Sequence, residues 1–390
     1  MDRIISCKKI KIHISRAHLL MALPGFFYLA NLLRMLDVSL WLYYIAFAVS
    51  GIVGMVYLSV QRRRELKFII LFALLYITSL VLNWLIIKNF GAGSIINNML
   101  FIGIAVIMIL QPWTLPYGAF VFYATTALIL YSMSVSSSTR ILTSSANFVS
   151  VVMLLSCSFY YIALGRENRK LRLLDLLPAG LCLFISVWAR GRGGILSATV
   201  LLVLLLFLYL KTITDKNAKK TVILLSVLLF AAVFMYAKNI SLIDAFLGLG
   251  KWEERGTDNS ARLNIWGSYL SKTKESIVYF LFGAPLRDIP LIESYSGNTH
   301  NSFLQLHAYT GIVTFAFVIF LSFRALLYYL KTKNTIIAIM MGTILLRSLT
   351  DKFVFGQYGM PIMLFFILYP FADSCTRKDK TGDLSAGTFA

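Results

Sequence analysis

Acidic residues are scarce in this sequence: 17 Asp and Glu stand against 37 Lys and Arg, and charged residues of both signs make up only 14% of the 390 positions. With 58% hydrophobic residues, such a chain cannot keep water as its main solvent, which excludes an ordinary soluble domain. Cysteine is scarce too. Cys7, Cys157, Cys182 and Cys375 fall in apolar segments or near the termini, at spacings that exclude a disulfide framework and a zinc cluster. The chain has no P-loop, no G-x-S-x-G and no H-E-x-x-H, so ATP hydrolysis, serine esterase and zinc protease chemistry lack their signatures. No Asp-x-Asp pair marks a metal-bound nucleotide-sugar site. No metal and no cofactor is therefore expected.

What is present is a succession of apolar runs. A hydrocarbon core of about 30 Å takes about 20 apolar residues per helix. Runs of this kind cover residues 17–33, 38–60, 68–87, 95–110, 116–133, 147–164, 175–189, 194–210, 221–237, 301–322, 335–347 and 359–374. The pattern predicts an all-α polytopic membrane protein of about 12 transmembrane helices, forming one domain over residues 1–374. A polar tail, 375–390, is expected to be disordered. The basic N-terminal stretch has no small-residue cleavage site and reads as a retained tail.

The net charge of +20 would suggest nucleic acid in a soluble protein, but its placement argues otherwise. Positive clusters at 3–16, 62–67, 166–172, 211–220, 324–333 and 377–380 occupy every second connection and hold 23 of the 37 Lys and Arg. Under the positive-inside rule both termini are then cytoplasmic, with no nucleic-acid partner. The outlying connection is residues 238–299, a loop of 62 residues between helices nine and ten, on the periplasmic side. It contains NSARLNIWGSYLSK, with Leu263, Trp266 and Leu270 at helical spacing and Asn259 or Ser260 as N-cap. A helix lying in the membrane interface is expected there.

This topology brings four candidate groups to one side. Arg190 and Arg192 sit in the tight WARGRGG turn between helices seven and eight; Arg262 opens the loop helix; His300 ends the loop. Guanidinium groups stay charged and grip phosphate bidentately, and neutral imidazole is the usual general base near neutral pH. Each has a plainer reading: snorkelling anchors for Arg190 and Arg192, a solvated helix face for Arg262, a structural loop histidine for His300. His307 is expected to pack or hydrogen-bond within the bundle. Arg347, Asp351 and Lys352 read as anchors at a helix exit, or as a rim to the cavity.

The segment His300-Asn301, nine residues, Gly311-Ile312-Val313-Thr314 resembles the signature around the periplasmic histidine of the O-antigen ligase and O-antigen polymerase superfamily. ARLNIWGSYL resembles that family's loop arginine and aromatic-rich helix, and GRGGILSA its upstream Arg-Gly segment. The resemblance spans residues 180–325; Thr314 departs from the glycine that many members carry. It implies an inverting, metal-independent glycosyltransferase of the bacterial inner membrane, acting at the periplasmic face on an undecaprenyl-pyrophosphate-linked oligosaccharide. It further implies that His300 and Arg262 are catalytic and that Arg192 and Arg262 hold the pyrophosphate, with Arg190 as a neighbour that could replace Arg192; Asn301, next to His300, is expected to support the histidine by orienting it. Membrane lipids and a chain-length regulator protein are the other partners expected. The polymerase is the favoured member, with the ligase, which transfers to lipid A core, as the alternative. A transporter is the rival from another class; it would show repeated or broken helices in two matching halves.

Overall fold

A computed structural model describes residues 16–60, 66–135, 146–189, 191–214, 217, 219–220 and 260–386, and every regular element among them is helical. Eleven of the twelve predicted apolar runs coincide with helices. These are α1 (Arg16–Met35), α2 (Leu40–Val60), α3 (Lys67–Ile86), α4 (Ala92–Leu110), α5 (Leu115–Val135), α6 (Ala146–Arg166), α7 (Leu177–Trp188) and α8 (Arg192–Thr212), then α12 (Ser302–Lys331), α13 (Thr335–Ser348) and α14 (Met360–Ala386). Between the two groups lie three short helices, α9 (Ser260–Lys274), α10 (Ile277–Phe282) and α11 (Pro290–Glu293). The run 221–237 and loop residues 238–259 lie outside the described residues.

Seven helices, α2, α3, α4, α5, α6, α8 and α12, are long and apolar enough to cross a membrane. Three further apolar helices are shorter: α7 with its leading 3-10 turn, α13, and the first part of α14. The chain is thus an all-helical, multi-pass membrane protein. Burial separates the inner helices from the outer ones. α6 has 94% of its apolar window buried, and Met360 to Leu368 of α14 is buried throughout, whereas α2, α3, α5 and α8 bury 33% of theirs. The outer helices leave Trp41, Leu71, Leu74, Phe120 and Phe207 exposed. In water such patches are a liability; in a bilayer they are the lipid-facing surface.

Close packing comes from glycine where helices touch without side chains between them. A Cβ on Gly54 of α2 would lie 1.9 Å from the Gly103 carbonyl oxygen of α4, and one on Gly103 would lie 2.1 Å from the Gly51 oxygen. The obstacle is backbone, which has nowhere to go. Gly103→Ala is therefore expected to push the two helices apart and destabilise the protein by roughly 1–3 kcal/mol. A thermal melt in detergent indistinguishable from wild type would contradict this contact.

α12 is interrupted at Gly311, whose φ of 71° and ψ of −175° break the helix into two pieces. Here only glycine fits: a Cβ would meet the Leu281 carbonyl oxygen at 1.9 Å, and the backbone is left-handed besides. α10 presses into the gap. Two side chains tie the break to the end of α10: Asn83 Nδ2 donates to Ala308 O of α12 (2.8 Å) and to Phe282 O of α10 (2.5 Å), and Asn89 Nδ2 to Ala308 O (2.7 Å) and to Ala284 O just beyond α10 (3.0 Å). The break is thus hydrogen-bonded, as the dry interior of a membrane protein requires.

α14 runs to Ala386. In α9 the buried stripe is Ile265 and Tyr269, packed on Leu286, Ile289 and Ile292, while Leu263 and Leu270 face outward. Apolar spacing predicts a helix correctly here but not which of its apolar residues face inward.

Candidate active site

The start of α8, the start of α12 and the end of α13 meet at one end of the bundle. A Cβ on Gly193 would lie 2.7 Å from Thr350 Oγ1 and 2.9 Å from Arg347 Nη1, so the first turn of α8 rests directly on the α13 exit. From α12, Ser302 Oγ donates to the Asp351 carbonyl at 2.7 Å and accepts from the Phe353 N–H at 3.2 Å.

His300 stands at this junction on strained backbone. Its φ is 50°, and Ser296 and Gly297 just before it also have positive φ, at 53° and 71°. A histidine held in the left-handed region is sustained by its surroundings, and such strain collects at functional sites. The surroundings are visible: the His300 N–H donates to Asn298 Oδ1 at 2.8 Å, and Thr299 is buried with Oγ1 bonded to Asn301 O and Gln305 Oε1. The ring is half-buried, with the Tyr295 ring edge-on at 5.4 Å. Among the described residues no hydrogen bond occupies either ring nitrogen, so both remain open to a ligand. Burial pushes the imidazole below the ordinary histidine range; Asp351 opposes the fall, and Arg262 and Lys352 add to it.

Arg262 is brought to His300 by its own helix. Trp266, one turn further along α9 and on the same face, donates from Nε1 to the Thr299 carbonyl at 3.0 Å, which pins α9 beside the residue preceding His300. Asn301 has a different task from orienting the ring: its Oδ1 accepts from Phe303 N (2.8 Å) and Leu304 N (3.1 Å) and caps α12. It supports His300 through the backbone. Arg192 opens α8 and is placed here by its backbone, next to Gly193; Arg190 lies outside the described residues.

Arg347 and Asp351, read from the sequence as anchors or as a rim to the cavity, form a buried ion pair. Arg347 Nη2 lies 3.2 Å from Asp351 Oδ2, with side-chain exposures of 2% and 8%, and Nη1 donates to Thr350 Oγ1 at 2.7 Å. Their burial sets aside the anchor reading: they point inward. Ionisable residues buried in a membrane protein are costly and mark function by default, and the i, i+4 spacing in RSLTD was the signal for their pairing. Burial lowers the Lys352 ammonium below its ordinary range, with Asp351 opposing. Tyr358 is buried in the same field, its phenol raised by burial and by Asp351, with Arg347 and Arg34 pulling the other way. Arg347 Nε, Arg34 Nε and the Tyr358 hydroxyl are buried without a hydrogen-bond partner among the described residues. Unpaired buried donors are expensive, and an anionic ligand would satisfy them.

His307 is a structural group. Its Nε2 donates to Phe280 O at 3.1 Å and its Nδ1 accepts from the Tyr269 hydroxyl at 2.6 Å, so one ring ties both α9 and α10 to α12. Among the described residues no group of three or more His, Cys, Asp and Glu is placed to hold a metal ion.

Residues 177–319 match the family described as O-Antigen ligase, a segment that contains the start of α8, Arg262, His300 and Gly311. No curated protein and no solved structure matches the chain. The strained His300, the arginine helix pinned beside it and the break in α12 at Gly311 all lie inside the matched segment, and this match supports a likeness of residues 177–319 to the O-antigen ligase and O-antigen polymerase superfamily.

Proposed function

We propose that this protein is an O-antigen polymerase: an inverting, metal-independent glycosyltransferase that joins undecaprenyl-pyrophosphate-linked repeat units at the periplasmic face of the bacterial inner membrane. Both termini then face the cytoplasm. The observation that carries the reading is His300, with both ring nitrogens open and Arg262, Lys352 and Asp351 in its electrostatic field. In the transfer, the acceptor hydroxyl oxygen bonds to the anomeric carbon while its proton passes to the neutral imidazole. The bond from that carbon to the pyrophosphate oxygen breaks with the electron pair going to phosphate. Arg190, Arg192 and Arg262 hold the leaving group; fixed guanidiniums in a water-poor site stabilise the developing charge. Arg262→Lys is expected to lower transfer at least tenfold at normal accumulation, because a point charge does not reproduce the bidentate fork. Wild-type rates in that variant would remove Arg262 from the phosphate site.

A second reading, the ligase, is favoured by the matched family, which is described as O-Antigen ligase. Its acceptor is lipid A core, a bulky partner, whereas the described part of the loop offers only the short helices α9, α10 and α11. A chain-length regulator is a partner under the polymerase reading alone. Deletion of the gene separates the two. The polymerase reading expects lipopolysaccharide capped with a single repeat unit, since ligation of unpolymerised donor continues. Bare lipid A core, with polymer stranded on its carrier, would overturn that reading in favour of the ligase.

A further inference from the structure

A cavity of about 210 Å³ opens at the end of the bundle opposite His300. Three helices fix the separation: α8, α12 and α13 each have one end at the His300 site and the other beside this cavity. α8 alone, with 21 residues, spans about 30 Å. The walls are the turn after α6 (Gly165, Asn168 to Leu171), the end of α8 (Leu208, Thr212) and the turn into α13 (Lys333 to Ile336).

The lining is chemically one-sided. Arg169, Lys170 and Lys333 contribute to it and no acidic residue does. Arg169 is bound to Asp175 Oδ1 at 2.5 Å, and that carboxylate also accepts from the Tyr160 hydroxyl and the Arg172 N–H. Lys170 and Lys333 are exposed and form no ion pair among the described residues. Asn334, at the N-cap position of α13, leaves that helix uncapped: its side chain donates to Gly165 O at 3.2 Å, holding the two walls together. The free N–H groups of the first turn, Thr335 and Ile336, therefore belong to a cationic wall. Leu171, Leu208 and Ile336 give the cavity an apolar side.

We infer that this cavity is a binding site for the phosphate headgroup of an anionic glycerophospholipid, seated with its phosphate between Lys170 and Lys333 and its glycerol toward Leu208 and Ile336. Basic pockets between transmembrane helices take such headgroups, and each nearby cation contributes about 1 kcal/mol. The inference is independent of the reaction at His300.

The test uses full-length protein purified in neutral detergent, with retained lipid read by native mass spectrometry. The variants are Lys170→Ala/Lys333→Ala and a control, Lys219→Ala/Lys220→Ala, which removes the same charge from an exposed stretch outside the cavity. Phosphatidylglycerol is expected to outcompete phosphatidylcholine on the wild type, and the cavity variant to bind it about thirtyfold more weakly, the equivalent of about 2 kcal/mol. The control should retain it. Equal loss in both variants would reduce the effect to general surface charge and overturn the site, as would equal retention of both lipids by the wild type. Inorganic phosphate is the second arm: if millimolar phosphate displaces the lipid from wild type but not from the cavity variant, the phosphate group is the element recognised. Lysine-dependent binding of phosphate without any retained lipid would overturn the lipid assignment.

Discussion

His300→Ala abolishes glycan transfer while the protein still accumulates in the membrane: that is the expected result, with a loss of about 10²- to 10⁴-fold for a general base. The ring makes no hydrogen bond among the described residues, so its removal costs the fold little. His307→Ala should behave in the opposite way. It deletes two tertiary hydrogen bonds that tie α9 and α10 to α12, so lowered stability with residual transfer is expected. The pH profile gives a finer test. The neutral ring is the active form, and its pKa lies below the usual 6.5, so transfer should fall on the acid side of that value as the ring gains its proton. Arg262 contributes to the lowering and Asp351 resists it; the acid limb should therefore move up in pH in Arg262→Ala and down in Asp351→Asn. Full transfer in His300→Ala protein would remove the base assignment outright.

Asp351→Ala is expected to destabilise the protein by about 3–5 kcal/mol, because it strands Arg347 as an uncompensated charge in a buried setting. Both side chains are almost wholly enclosed, so solvent does little to screen the loss. The double variant Arg347→Met/Asp351→Leu removes both charges and should recover most of that stability, as buried ion pairs replaced by apolar groups often do. Recovery of folding without recovery of transfer would locate the pair in the site; transfer restored to wild-type levels would show that it serves the fold alone.

The sequence was most informative where one physical signal dominated. Long apolar runs marked eleven helices in place, because a continuous apolar segment in a bilayer satisfies its own backbone as a helix. The His300-Asn301 motif was legible as a unit, and its glycine, eleven positions after His300, proved to be the break in α12. What the sequence concealed was direction. Ile265 and Tyr269 face inward while Leu263 and Leu270 face outward, and hydrophobicity cannot tell protein from lipid when both are apolar. Arg347 and Asp351 looked like interface anchors for the same reason: residues at a helix end sit near the membrane surface whether they point out or in. Arg34 and Tyr358, far apart in the chain, carried no local pattern at all.

The interruption at Gly311 also has a mechanical meaning. A continuous 30-residue rod would carry every change of tilt, imposed by a thicker or thinner bilayer, straight to the residue at its tip. With the rod jointed at Gly311, the long segment can lean with the lipid while the short segment stays clasped by Asn83, Asn89 and α10. If His300 carries the proposed transfer, this joint would shield it from membrane thickness, and a residue that stiffens the joint is expected to make transfer depend on acyl-chain length.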